Sequence, residues 1–540
     1  MDNFRSTREQ QVGETRTPWG RADSRLAHAA PSCGSPHARL LPLALSLGIV
    51  GALFAVACTG AAPPASPRGP LTLTIGFPQS RQVDPSHGAS FLVDQIAFER
   101  LTINDAEGRT QPRLLRGWTV SQDGLTWRLV VRPGVRFHDG SPLTASDVKR
   151  TLDAAIASPS RRALSVCLGY ITNVVARGDG EVLVSLRQRC SYLLDDLDRP
   201  VTRLAPDGKT SLGTGPFSIV SSSADEIALQ ANRNYYLGPP VIDRVVVRPY
   251  DALRTAWAEM MRGRVDFLWE VGPDTAEFLR DQSTIEVRSF LSYYAYAVML
   301  NSARPTFKEP AVRRALNLAI DRATLVQQGL KGRGVPADGP VWPRYWARNR
   351  GAPAIPYNPG AAAALLQAGH AGPIEFTCLV PANFSILERL ALLVQRQLSD
   401  VDVRVRLESL PPDAFTRRII SGDFDAVLLP LLGGPQAAVY HRFWHSPTDS
   451  LRWNFWGYRN AVVDAALDTA LEAPDERHFS DAIQRFEAAV RDDPPAIFLA
   501  WNQTVQAVSR RFSVPAENDG RDAIHVLGRW LLRQPGGGAP

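Results

Sequence analysis

Residues 131–156 read VRPGVRFHDGSPLTASDVKRTLDAAI. Two turn signals, Pro133-Gly134 and Asp139-Gly140, interrupt the first half, because glycine reaches the backbone conformations that tight turns demand. Thr144 then stands three residues before Asp147, the spacing of a capping box at a helix start. Val148, Leu152 and Ile156 follow on one face of the predicted helix. The stretch therefore leaves a strand, turns twice and enters a helix with one apolar face. In that frame His138 and Asp139 are read as packing and turn residues. Just upstream, 118–121 and 126–131 flank Asp123-Gly124 and form a predicted hairpin.

The same mixture continues in both directions. Residues 71–77 (LTLTIGF) alternate as a strand, Arg81-Gln82-Val83-Asp84-Pro85 is a turn, and 94–101 is a short predicted helix. Gly213-Thr214-Gly215-Pro216-Phe217 turns tightly into a strand, and VIDRVVVRPY ending at Tyr250 gives another. The segment 255–261 is helical, and 292–300 is an aromatic strand carrying Tyr293, Tyr294 and Tyr296. Pro310 opens a helix with Val312, Ala315, Leu316, Ala319 and Ile320 at helical spacing. Asn358-Pro359 opens the next, closed by Gly369. Further helices fall at 387–398, 461–471 and 479–490, and strands at 401–407 and 425–429. Strands and helices alternate without an evident repeat, which points to α/β lobes rather than a sandwich or a solenoid.

Composition sets outer limits. The chain has 540 residues and a net charge of +6, of which +2 falls in residues 1–57 and +4 over all the rest. So mild a charge, without a dense Lys/Arg run, gives no footprint for nucleic acid. The length after residue 58 exceeds one simple core and implies two lobes or more. There is no nucleotide-binding loop, zincin helix or nucleophile elbow.

Residues 40–58, LLPLALSLGIVGALFAVAC, carry no charge; six arginines precede them and a Pro-rich run follows. A basic region, an apolar core and small residues ahead of Cys58 make a secretory signal. A cysteine placed there resembles a lipobox, so Cys58 becomes the lipidated first residue of the mature chain. The competing reading is a permanent helical anchor. On either reading the remainder is exported and tethered, with 58–70 as a linker.

Cys167 and Cys190 flank two β-branched runs around Gly178-Asp179-Gly180. In an antiparallel hairpin with a two-residue loop at Gly178-Asp179, partner numbers sum to 357, and so do 167 and 190. A disulfide is expected at the open end. Two unrelated buried thiols remain the alternative, because a bulge would shift the register.

The ordered set of motifs resembles the solute-binding proteins of peptide- and nickel-type ABC importers, solute-binding family 5. It comprises Leu125-Thr126-Trp127, the stretch from Arg132 to Val148 quoted above, Gly213-Thr214-Gly215-Pro216-Phe217, Asn234-Tyr235-Tyr236 and Gly263-Arg264-Val265-Asp266. Val312-Arg313-Arg314-Ala315-Leu316, Ile320-Asp321-Arg322, Tyr357-Asn358-Pro359 and Gly422-Asp423-Phe424-Asp425 complete it. The resemblance implies an α/β, two-lobed periplasmic-binding-protein fold of the large peptide-binding class, with ligand held in the cleft between lobes. It places lobe I at 71–291 plus 499–540, with a subdomain around 96–212, and lobe II at 292–498. The crossing strands are expected near 292–300 and 497–504.

The resemblance also locates a ligand loop after the strand at 425–429. The family's aspartate, which pairs with a peptide's amino group, corresponds here to Leu431, and the acid of its Asp-Pro pair to Gly434. The loop LLPLLGGPQ, residues 428–436, contains no acid. A buried ammonium without a counter-charge is costly, so a less cationic or more apolar solute is expected. A shifted alignment would instead hand the role to Asp413, Asp423 or Asp425. The candidate ligand-binding residues are Tyr293, Tyr294, Tyr296, Trp342, Leu431, Gly433, Gly434, Gln436, Tyr440, Arg442 and Trp444, with Trp346 nearby. Aromatic residues at such positions also serve as core, and Arg442 also fits a surface role. His441 and His445 have a metal-compatible helical spacing, but without an identified Cys or acid ligand to complete a set, no metal or cofactor is expected. The function implied is capture of a peptide-like or other small organic solute and its delivery to an inner-membrane ABC permease. The expected protein is a non-catalytic, lipid-anchored monomer in the periplasm or at the cell surface. A ligand-sensing receptor lipoprotein of the same fold is the alternative, and an exported hydrolase a weaker third.

Overall fold

The computed structural model describes residues 69–78, 89–159, 161, 165–369, 372–447, 453–518 and 520–533. The apolar stretch 40–58, Cys58 and the turn at 81–85 lie outside the described residues. No helix among the described residues is long and apolar enough to cross a membrane.

An eleven-stranded sheet organises the chain. At one end Thr72–Pro78 lies parallel to both Arg244–Tyr250 and Phe267–Leu268. At the other, Ile374–Pro381 lies parallel to Val403–Leu410 and Ala426–Leu432. Two long strands join these halves. Ile285–Leu300 and Ala496–Ser509 run antiparallel across the middle. Both extend beyond the expected 292–300 and 497–504, so the crossing is a ribbon longer than either predicted segment. Its pairing shifts register between Leu291 and Ala295.

Each half carries its own core. One gathers Leu73, Ile75, Phe217, Val245, Phe267 and Trp530. The other gathers Leu316, Ile320, Leu390, Val403 and Leu428. A separate four-stranded sheet, formed by Leu115–Val120, Thr126–Val131, Glu181–Leu186 and Ile171–Arg177, sits beside the large one. Helix Ala145–Ala157 packs on it. The expected helix at 94–101 lies earlier in the chain, at Ala89–Ala97.

The stretch that opens the sequence reading is scaffold. Gly134 and Gly140 both have positive φ, 78° and 82°, as their turns require. The Asp147 carboxylate accepts from the Thr144 backbone N–H at 2.9 Å and from its hydroxyl at 2.8 Å. Arg203 holds the same fully buried carboxylate at 2.7 Å and 2.8 Å. His138 Nδ1 accepts from the Gly213 N–H at 3.3 Å, while Nε2 lies 3.2 Å from the Gly215 carbonyl oxygen. A carbonyl only accepts, so the proton sits on Nε2, and burial pushes the imidazole below its usual range. His138 thus ties one motif to the next. Likewise Tyr235 and Tyr236 both donate to Glu99, at 2.7 Å and 3.1 Å.

Cys167 and Cys190 form a disulfide with Cα atoms 5.9 Å apart. The expected register needs correction. Next to the turn the pairing is Arg177 with Glu181 and Val174 with Val184, one residue off, which leaves a three-residue loop. A shift between Ile171 and Asn173 then restores the predicted sum at Ile171 with Leu186. A bulge, the feature weighed against the bridge, is what brings the cysteines back into step.

Candidate functional site

The loop after strand Ala426–Leu432 lies against the first crossing strand. The Gly433 N–H donates to the Tyr293 carbonyl at 2.8 Å. A Cβ on Gly433 would stand 2.5 Å from Trp501 Cη2 and 2.8 Å from the Pro340 carbonyl oxygen. On Gly434 it would stand 3.0 Å from Tyr293 Cβ. Both glycines are required by close approach, not by backbone angle. Tyr440, fully buried, contacts the Gly433 and Gly434 carbonyls at 3.1 Å and 2.7 Å and accepts from the Trp342 N–H at 3.3 Å. Trp342 in turn donates from Nε1 to the Ser292 carbonyl at 3.1 Å and meets the Tyr293 ring edge-on, centroids 5.1 Å apart. Loop, strand and aromatic residues form one rigid shelf.

The predicted residues divide into support and surface. Trp444 is packed between Trp456 and Phe498. Tyr296 lies in the core of one half-sheet. Leu431 is buried opposite Ala295. Trp346 stacks on Phe479 and carries Arg109 over its other contacts, 4.3 Å from the ring centroid. Tyr294 is half-buried and pairs with Leu432. Arg442 sits 5.9 Å from the Phe443 ring, and its Nε has no hydrogen-bond partner. Gln436 donates to Asp198 at 3.1 Å, reaching from the loop to the segment that follows the small sheet. The alternative acids are engaged elsewhere or exposed. Asp423 pairs with Arg418 at 2.8 Å, Asp425 with Arg304 at 3.2 Å, and Asp413 is exposed near the start of its helix.

Tyr293 is the focus of the shelf. Its ring is 39 % exposed, yet loss of hydration pushes its phenol up to about 12, against the pull of Arg521. His525 is likewise exposed, and burial nevertheless lowers its imidazole, with Asp522 opposing and Arg100 and Arg521 adding to the shift. Tyr293 and His525 stand among the same charged groups, Arg521, Asp198 and Asp522. Asp198, held by Arg100 at 3.2 Å, acts electrostatically on both rings. Asp522 is spent on Gln506 and Trp269, at 2.7 Å and 2.9 Å.

Three groups there keep unused hydrogen-bonding capacity. Among the described residues, neither the Tyr293 hydroxyl nor the His525 ring has a partner. Arg521 gives one side-chain N–H to the Asn104 carbonyl at 2.8 Å, leaving the rest of its donor fork. The sequence reading missed Arg521, His525 and Asp198. Their neighbours in sequence form no motif, and only the fold's return of residues 520–525 to the crossing strands gathers them.

A profile of the middle region of bacterial extracellular solute-binding proteins, family 5, matches residues 109–450. The chain belongs to this family. The glutathione-binding protein GsiB of Pectobacterium atrosepticum is 25 % identical over 429 residues, covering 74 % of this chain and 82 % of that protein. The oligopeptide-binding protein AppA of Bacillus subtilis is 24 % identical over 479 residues, covering 82 % and 88 %. Among solved structures, NikZ from Campylobacter jejuni in complex with Ni(L-His) aligns with a TM-score of 0.72 at 22 % identity, over 85 % of this chain and 99 % of that one. The α/β, two-lobed architecture expected from the motifs is therefore that of this binding protein. The two long strands run across the middle of the large sheet, between its halves.

Proposed function

We propose that this protein captures a carboxylate-bearing, peptide-like or other small organic solute in the crevice over Tyr293, and delivers it to an ABC permease. Membership in an extracellular solute-binding family supports the transport role. One observation carries the ligand class: among the described residues the Tyr293 hydroxyl and the His525 ring have no hydrogen-bond partner, and the Arg521 guanidinium that acts on both keeps spare donors. A guanidinium with neighbouring donors suits a carboxylate, which it takes in a forked geometry. Glutathione and oligopeptides, named as ligands of the relatives, carry carboxylates. The loop at Leu431 supplies no acid, so the carboxylate end of the solute anchors it rather than an amino end.

The protein acts by binding and closure, without catalysis. Lobe I takes 71–291 and 499–540 and lobe II 292–498, so Arg521 and His525 belong to the first lobe and Tyr293 to the second. A solute touching all three favours the closed state because only that state offers every contact. A lipid on Cys58, with the Pro-rich 58–70 as spacer, holds the monomer within reach of its permease.

The test begins with native mass spectrometry of protein purified without unfolding, to identify what it retains. An organic species with a carboxylate is expected, and Arg521→Gln lowers its affinity at least tenfold. A retained solute without a carboxylate, or equal affinity in R521Q, overturns the assignment.

A further inference from the structure

We infer that His441, His445 and Asp468 form a binding site for a divalent transition-metal ion where helices Ala437–Trp444 and Ala461–Leu471 meet. The acid of the set comes from a different helix. Helix Ala437–Trp444 places His441 one turn before His445, and helix Ala461–Leu471 brings Asp468 opposite them. One ligand atom from each of the three lies within 4.8 Å of the others.

The finer geometry is that of a ligand set. His441 Nε2 stands 3.3 Å from Asp468 Oδ1, and His445 Nε2 stands 3.4 Å from the same oxygen. Metal–ligand bonds of about 2.0–2.1 Å at tetrahedral angles put neighbouring ligand atoms about 3.3 Å apart. The two imidazoles lie nearly parallel, with centroids 4.7 Å apart and planes at 14°. His445 is also oriented as a metal ligand. Its Nδ1 lies 2.9 Å from the Ser446 carbonyl oxygen, which only accepts, so the Nδ1 proton is fixed there. That leaves Nε2, 3.4 Å from the Asp468 oxygen, to face an ion shared by the set. A hydrogen bond from the far nitrogen of a ligating histidine is the usual outer support of such a site. Asp464 accepts from the Ser446 N–H at 2.8 Å and braces the turn that bears His445.

Access and chemistry agree. His441 is 3 % exposed and His445 12 % by side chain or residue, while the Asp468 side chain is 58 % exposed, so the set opens to solvent on the carboxylate side and leaves room for water as a further ligand. Two imidazoles and a carboxylate suit Zn²⁺, Ni²⁺ or Cu²⁺ over Mg²⁺ or Ca²⁺. His441 Nδ1 is buried without a partner. Carrying the proton there in the metal-bound form weakens the site relative to one with both histidines supported.

The position gives the ion a consequence. Tyr192, from the segment after the small sheet, sets its ring against His441, centroids 6.0 Å apart, and its hydroxyl donates to the Leu467 carbonyl at 3.0 Å. A metal ion pinning the two helices together stiffens the surface on which Tyr192 rests.

The test is calorimetric titration of the full mature chain with Zn²⁺, paired with thermal unfolding. One ion per chain and a raised Tm are expected. Asp468→Asn, on an exposed side chain, and His445→Ala each weaken binding at least tenfold and abolish the Zn²⁺-induced rise in Tm. Their own Tm without metal reports whether they fold. Absence of Zn²⁺ binding to the unaltered chain, or unchanged affinity in folded D468N, overturns the site.

Discussion

At the scale of single residues, Gly433 shows how tightly the ligand shelf is built. Any side chain there meets the indole of Trp501 and the carbonyl of Pro340, both of them fixed. Trp501 is fully buried on a crossing strand, so it has no room to retreat. Overpacking of this kind costs about 1–3 kcal/mol. Gly433→Ala is therefore expected to lower the unfolding free energy by that amount, read as a lower urea midpoint at unchanged slope, and to weaken solute retention because Tyr293 shares the strained contact through its carbonyl. Unchanged stability in G433A would mean that the loop stands off the strand. The glycine also explains why the family's loop was legible while its chemistry was not. Its place in the sequence was plain from the motifs around it, but its neighbours Trp501 and Pro340 come from distant segments that no local pattern links.

At the scale of elements, the hairpin closed by Cys167 and Cys190 is the clearest case. The bridge encloses a separation of 23 residues, and cross-linking a loop of that size stabilises by about 3 kcal/mol in the chain-entropy picture. Replacing both cysteines by alanine is expected to remove about that much unfolding free energy, measured by denaturant titration of unreduced protein. Of Cys167, Cys190 and Cys378, only buried Cys378 should react with a thiol reagent after unfolding without reductant. The hairpin also marks what period-2 patterning can and cannot deliver. It identified both strands, but it could not distinguish a two- from a three-residue loop or see the compensating bulge. Helix Ala461–Leu471 matches its predicted bounds. Helix Ala437–Trp444 is only eight residues long, too short for its apolar spacing to stand out from the loop before it. The metal ligands sit at its end and on its neighbour, and their convergence is a property of the helix pair, invisible in either segment alone.

At the scale of the whole molecule, a contact between segments far apart in sequence carries a pH dependence. Asp195 follows the small sheet, and its carboxylate accepts from the Ala438 N–H at 3.3 Å, at the start of helix Ala437–Trp444. Burial dominates over that favourable N–H and pushes the carboxyl from 3.8 up to about 8, with Asp196 and Asp198 adding to the rise. Glu487 behaves similarly: burial raises it from 4.5 to about 7 despite Arg348 at 3.2 Å. A carboxyl whose folded value is raised holds its proton more tightly in the folded chain than in the unfolded one. Stability is then greatest below the unfolded value and falls as pH rises towards the folded value. The unfolding free energy should accordingly decline between about pH 4 and pH 8 through these two groups, opposing the usual gain from paired surface carboxylates. Asp195→Asn keeps an acceptor for the Ala438 N–H while removing the titration. It is expected to flatten the decline most between pH 5 and pH 8, and to bring the variant's stability at pH 8 above that of the unaltered chain. With the lobes divided as proposed, Asp195 joins one to the other, so the solute affinity of the unaltered chain should fall over the same range and that of D195N should not. Parallel pH profiles for the two proteins, in denaturant titration and in solute binding, would show that the Asp195 carboxylate is not what the pH acts upon.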